Sequence, residues 1–136
     1  TTAIKGKNMK YIITFLIFIM PNLSMAHEMV PTYPKMEPSH IDGLYKTTMT
    51  VFNKRPEVEY YEIGVFTEEW EPIPFVSNYK IHKIPYLSAA TFDVFIRKQD
   101  KYRVTYICSQ SKLRKQQKTT TAISSRICSK VVRLKL

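Results

Sequence analysis

Few residues in this chain have the types and spacing that chemistry needs, and those few point to crosslinking and binding. Cys108 and Cys128 are the two cysteines. They lack the C-x-x-C spacing of a zinc or redox pair, so in an oxidising compartment the even count predicts a disulfide between them. Nineteen residues lie between them, and closing that loop removes roughly 3 kcal/mol of unfolded-state entropy on the chain-entropy argument. His27 is a candidate metal ligand. At the start of a processed chain its amine and ring nitrogen would suit copper, with an imidazole from His40 or His82 and a thioether from Met29 or Met36. The bland alternative is a frayed terminal residue. Lys112, Arg114, Lys115 and Lys118 form a basic run suited to anionic lipid, lipopolysaccharide or nucleic acid, or simply a solvated loop. Nothing resembles a catalytic constellation: there is no G-x-S-x-G elbow and no H-E-x-x-H. The acidic run Glu68-Glu69-Trp70-Glu71 reads as a solvated turn whose carboxylates point apart. With only 3 Gly, a phosphate-cradling loop is not expected either. No enzyme is expected.

The segment that opens the chain reads as an address. Met9-Lys10 is followed by an apolar run, Tyr11 to Met20, and then by the triplet Ser24-Met25-Ala26. A positive start, an apolar stretch of roughly 7–15 residues and small residues at −3 and −1 describe a secretory signal peptide. A spanning helix needs about 20 apolar residues, twice what is present. The expected organisation is therefore residues 1–8 upstream of the start, a signal peptide over 9–26 cleaved after Ala26, and one domain over 27–136. The product would be periplasmic or secreted, with no integral anchor after cleavage.

Of the 136 residues, 44% are hydrophobic, which excludes a disordered chain and fits a single domain. The 9 Tyr and 7 Phe, among many Val, Ile and Thr, favour sheet. Charge is uneven. From Arg97 onward there are 12 basic residues and only Asp100 is acidic; from His27 to Ile96 there are 6 basic and 10 acidic.

Alternation supplies the elements. Three prolines keep His27–His40 extended without full pairing, and Asp42-Gly43 marks a turn. Leu44–Phe52 and Val58–Phe66 alternate as strands, separated by a turn at Asn53-Lys54-Arg55-Pro56. Glu68–Pro74 reads as a hairpin tip and Tyr79–Ile84 as a short strand. Thr91–Arg97 and Tyr102–Cys108 alternate again. Ser109–Thr121 is polar and aperiodic, hence a long solvated loop, and Ile123–Leu136 is the last strand. No stretch has a helical period. About seven short strands with turn signals between them predict an all-β, immunoglobulin-like β-sandwich preceded by a signal peptide. In that arrangement Cys108 and Cys128 share a face on neighbouring strands.

These features resemble the N-terminal immunoglobulin-like domain of PapD-like periplasmic pilus chaperones. The matching residues are the Pro-containing first strand, the strand end Thr50-Val51-Phe52-Asn53, the strand Tyr102–Cys108, and Arg126-Ile127-Cys128-Ser129-Lys130-Val131. In that family some members carry a disulfide between the last two strands of this domain, and a pilin carboxylate is held by an Arg near the first strand and a Lys on the last. Here Lys35 is the first segment's cation and Lys130 matches the second. The chain is also similar to small secreted proteins of marine tailed phages, a group without a known function. The resemblance implies a protein partner. Val131, Val132, Leu134 and Leu136 would then pair with a partner strand if their strand lies at an edge, or merely complete their own sheet. A protein or envelope surface is thus the expected partner, with membrane contact through the basic loop; nucleic acid is not expected after export.

Overall fold

A computed structural model describes residues 27–112 and 124–133. The signal-peptide expectation, and Arg114, Lys115, Lys118, Leu134 and Leu136, lie outside the described residues. Among the described residues nine strands run in the order β1 (Glu28–Val30), β2 (Glu37–Pro38), β3 (Leu44–Phe52), β4 (Tyr60–Phe66), β5 (Phe75–Val76), β6 (Ile81–Lys83), β7 (Ala89–Arg97), β8 (Tyr106–Lys112) and β9 (Arg126–Lys130). One sheet has the order β1-β3-β7-β5, with β2 also paired to β3; the other has the order β6-β4-β8-β9. Every strand pair is antiparallel. No helix among the described residues is long and apolar enough to cross a membrane.

The immunoglobulin-like sandwich expected from alternation is the observed fold. Met49, Val51, Phe92, Val94 and Ile96 of the first sheet face Tyr61, Ile63, Val65 and Ile107 of the second. Each set sits at every second position, the pattern that a sheet with one buried face imposes. The strand number exceeds about seven because two short stretches add to the edges. Pro31 and Pro34 interrupt the first segment, leaving β1 and β2 as separate additions to β3. The β4–β6 connection first bonds to β4, with Ile73 N–H donating to Val65 O at 2.8 Å. It then crosses to pair β5 with β7 and returns to β4 as β6.

Strands β4, β6 and β7 differ by one or two residues at their ends from expectation, and β8 and β9 differ more. The strand expected over Tyr102–Cys108 begins four residues later and runs to Lys112, so Ser109–Lys112, expected as loop, is strand. The late start follows from Asp100, which is 1% exposed and ion-paired to Arg97 and Arg103. Its carbonyl accepts the Arg103 and Val104 N–H groups, and the turn continues through them. The late end follows from Ser109 and Ser111, polar residues that nevertheless point into the sandwich and are buried. The last strand is correspondingly short, ending at Lys130.

Candidate functional site

The end of the second sheet holds the residues with an unmet capacity to bind. Strand β9 lies at its edge, paired with β8 in the register Tyr106↔Lys130, Cys108↔Cys128 and Gln110↔Arg126. Cys108 and Cys128 are disulfide-bonded, as the even cysteine count predicts, with Cα atoms 4.0 Å apart. This close approach marks a pair that does not exchange backbone hydrogen bonds. The flanking bonds agree. Ser111 N–H donates to Ser125 O and Val131 N–H donates to Thr105 O, so odd-numbered residues of this stretch face β8. Even-numbered residues therefore aim their backbone groups outward.

Two of those outward donors are taken. Lys130 N–H donates to Thr32 O at 3.1 Å and Val132 N–H to Pro34 O at 2.9 Å. The partners advance together along both segments, so Thr32–Pro34 lies parallel to the end of β9 and seals that half of the edge. Pro34 has no N–H to return, leaving the Lys130 carbonyl without that ladder bond. Toward the other half, Arg126 and Cys128 have no backbone partner among the described residues. Of the four residues expected to pair with a partner strand, Val131 is buried in the core while Val132 is exposed. Both of their N–H groups are bonded within the chain. The unpaired outward backbone groups sit three to six residues earlier, at Arg126 and Cys128, on the strand that β1 passes.

Side chains on the outer face of this sheet form a packed cover. The turn at Thr67–Glu71 is closed by Thr67 N–H donating to Glu71 O and Trp70 N–H donating to Thr67 O. It places Trp70 at φ 65°, a conformation costly for a bulky residue. The indole is thereby laid flat on Tyr106, with ring centroids 4.1 Å apart and planes within 2°. The Arg126 guanidinium sits 4.8 Å from the Phe66 ring and 4.7 Å from the Trp70 ring, a cation–π arrangement. Its Nη2 approaches Cys108 Sγ at 3.8 Å. Gly64, opposite Cys108 in the register, permits this closeness: a Cβ there would meet the Phe66 ring at 2.7 Å. The acidic run Glu68–Glu71 forms the turn that carries Trp70. It supplies Trp70 to the cover, and Glu68 pairs with Arg133 at 2.7 Å.

Lys130 and Arg133 line a cleft of about 560 Å³ with Tyr33 and Tyr106. Lys35 opens instead onto a second cleft, with Lys101, Tyr45 and Tyr102. The two lysines matched to a carboxylate anchor therefore line different clefts. Lys112, the described member of the basic run, pairs with Glu62 at 2.6 Å.

His27 is buried rather than frayed. Its Nε2 lies 2.8 Å from Ser109 Oγ and 3.2 Å from Ser109 O, and Nδ1 lies 3.1 Å from Ser125 Oγ. The ring nitrogen expected to serve copper together with the amine is thus engaged, since both ring nitrogens meet serine groups. No cluster of three His, Cys, Asp or Glu with metal-binding geometry is found among the described residues. His82 packs on Phe92 with ring centroids 4.6 Å apart, and Met29 and Met36 belong to the core. Burial lowers the pKa of both His27 and His82 below the ordinary 6.5, and Arg55 lowers that of His27 further. Below pH 6.5 the unfolded chain takes up protons that the folded chain refuses. The stability contributed by these two residues is present above that pH and is lost as pH falls through their depressed values. Urea midpoints at pH 7.5 and 5.0 check this: the acid midpoint falls, and His82→Phe narrows the gap.

Two solved structures are similar to this chain in fold. The E. coli chaperone DraB superposes with a TM-score of 0.57 at 16% identity, covering 78% of this chain and 53% of that one. A chain from the complex of the Salmonella enterica SafA pilin with the SafB chaperone superposes with a TM-score of 0.58 at 12% identity, covering 82% and 55%. The chain has the immunoglobulin-like fold of these chaperones. It spans little more than half their length, and at such identities the likeness concerns fold. No family model and no curated protein matches the sequence. In this chaperone-type fold the open edge was not legible from side-chain hydrophobicity, because it is a property of backbone direction. The signal that was available is the alternation around Cys128, which places Arg126 and Cys128 in phase.

Proposed function

We propose that this protein is an exported, disulfide-stapled binding domain that takes up a strand of a protein partner along the Arg126–Cys128 edge. The observation that carries the reading is the pair of outward-facing backbone units at Arg126 and Cys128, which lack partners among the described residues. An extended segment laid there gains main-chain hydrogen bonds, the recognition mode called β-augmentation. The chaperone-like fold supports a protein partner, since the SafB chaperone is found in complex with a pilin. The leader-like segment before His27 supports export. The cationic flank of Arg126, Lys130 and Arg133 favours a partner strand with acidic side chains. An accessory role for a phage-encoded secreted protein, or a chaperone-like role in surface-fibre assembly, follows from the resemblances noted above.

The test separates backbone from side chain. Arg126→Pro removes an outward N–H that bonds nothing among the described residues, a substitution that an edge position tolerates. Arg126→Ala keeps that N–H and removes the guanidinium. With folding verified by thermal melting, envelope-extract protein captured by the wild type is lost by Arg126→Pro and retained by Arg126→Ala. Equal capture by the wild type and Arg126→Pro would sink the reading.

A further inference from the structure

The first sheet has an edge of its own, on the side of the sandwich away from β9. Its outermost strand there, β5, covers β7 only at Phe95 and Ile96, which pair with Val76 and Phe75. The chain then leaves this sheet through residues 77–80 and joins the other, where Ile63 N–H donates to Lys80 O at 2.8 Å. No strand among the described residues lies along the outer side of residues 89–93.

Backbone direction follows from the bonds that flank β7. Asn53 N–H donates to Ser88 O and Lys98 N–H donates to Gly43 O, so even-numbered residues of β7 bond to β3. Ala89, Thr91 and Asp93 therefore aim N–H and C=O outward, and these groups have no partner among the described residues. Exposed strand edges are ordinarily guarded by lysine, proline or a bulge. This stretch, Ala-Ala-Thr-Phe-Asp, contains neither residue, and its register with β3 is unbroken.

The open stretch is complementary to itself. Laid antiparallel on a second copy with Thr91 facing Thr91, it sets Ala89 against Asp93 twice, and both backbone groups of all three residues find partners. The next register in phase sets Asp93 against Leu87 or Ala89 against Phe95, residues already bonded to Asn53 and Val76. The two Asp93 carboxylates then stand about 13 Å apart along the ladder, so like charges do not face each other. Lys80 and Lys83 belong to the edge of the second sheet, not to the strand that pairs.

The same register covers two exposed apolar residues. Leu87 of one copy falls in line with Phe95 of the other, whose outer neighbour is Val76. Leu87 and Val76 are 61% and 63% exposed. The strand leaves the sheet just there, in a turn with Leu87 at φ 61° and Ser88 N–H bonded to Pro85 O. That turn clears the second copy's β5 and brings Leu87 to its Val76, where both lose contact with water.

We infer that residues 89–93 of β7 pair with the same stretch of a second copy, joining two first sheets across a twofold axis at Thr91. The inference is independent of strand uptake at Arg126 and Cys128, which lie on the opposite side of the sandwich.

Sedimentation equilibrium of the purified protein tests it. So short a pairing predicts a reversible dimer with a dissociation constant of about 1–100 µM. Thr91→Pro removes the outward N–H at the axis, a change that a strand edge tolerates, and weakens the dimer roughly tenfold or more. Thr91→Cys and Ala89→Cys, both at exposed positions, read the register. Mild oxidation links Thr91→Cys into a covalent dimer, because directly opposed residues stand within disulfide reach. It leaves Ala89→Cys unlinked, because the two copies of that position lie about 13 Å apart. A wild type that stays monomeric up to about 1 mM overturns the proposal. So does equal cross-linking of the two cysteine variants, or a folded Thr91→Pro that dimerises as the wild type does. Arg126→Pro leaves the dimer intact; if it dissociates the dimer instead, the copies pair through β9 and the β7 assignment falls.

Discussion

Asn53→Ala is expected to lower the stability of the domain by about 4 kcal/mol, the largest effect of any single substitution considered. The side-chain amide of Asn53 donates to Val58 O at 2.6 Å and to Ile84 O at 2.8 Å. Its oxygen accepts from Tyr61 O–H at 2.6 Å and from Arg55 N–H at 2.8 Å. Adding the two backbone bonds to Leu87 and Ser88, one residue ties the β3–β4 connection to the β6–β7 connection and to the core tyrosine. Truncation leaves several buried polar groups without partners, and each pays a desolvation cost that a simple count of lost bonds understates. Burial also pushes the Tyr61 hydroxyl up to about 12, so it remains a donor throughout the ordinary pH range. Denaturant titration checks the prediction: the midpoint drops with an unchanged slope. Asn53→Asp does not rescue, because it keeps the acceptor but replaces both donations with a buried charge. A loss below about 1 kcal/mol would mean that the connections hold each other without this hub.

Removing the disulfide by Cys108→Ala with Cys128→Ala is expected to cost about 3 kcal/mol. The bond joins directly opposed residues of β8 and β9 and closes the loop between them, so its main effect is to restrict the unfolded chain. Against a typical total of about 5–15 kcal/mol, this is a large share for a domain of this size. The expected readout is a melting midpoint lower by roughly 10–15 °C, together with earlier exchange of the β9 amides. Access matters as well. Cys108 is 2% exposed, beneath Arg126, Phe66 and the Trp70–Tyr106 stack. Trp70→Ala therefore speeds reduction of the native protein by dithiothreitol while leaving the equilibrium cost of losing the bond unchanged. Reduction at the wild-type rate would show that the aromatic cover does not gate the sulfurs.

The elements read most accurately from sequence are those whose buried and exposed faces differ most. Leu44–Phe52 was legible to the residue because Tyr45, Thr47, Met49 and Val51 alternate with polar partners, and β4 and β7 follow the same rule. Where the core itself is polar, the rule fails. Ser109 and Ser111 look like loop residues, yet they point inward and meet His27 and Ser125. A hydrophobicity pattern cannot anticipate hydrogen bonds between residues so far apart in the chain. Asn53 lies in the turn that its neighbours signal, but its role as a hub was hidden for the same reason. Its four side-chain partners come from three separate stretches.

The order of residue types along the chain was enough to specify a two-layer β architecture and a single crosslink, since alternation of period two and an isolated pair of thiols are local, countable properties. The open edge at Arg126 and Cys128, the burial of His27 and the outward presentation of Leu87 came from assembly. Each depends on which backbone groups find partners after distant strands have met, and hydrogen bonding between distant segments leaves no periodic mark on the chain that makes it.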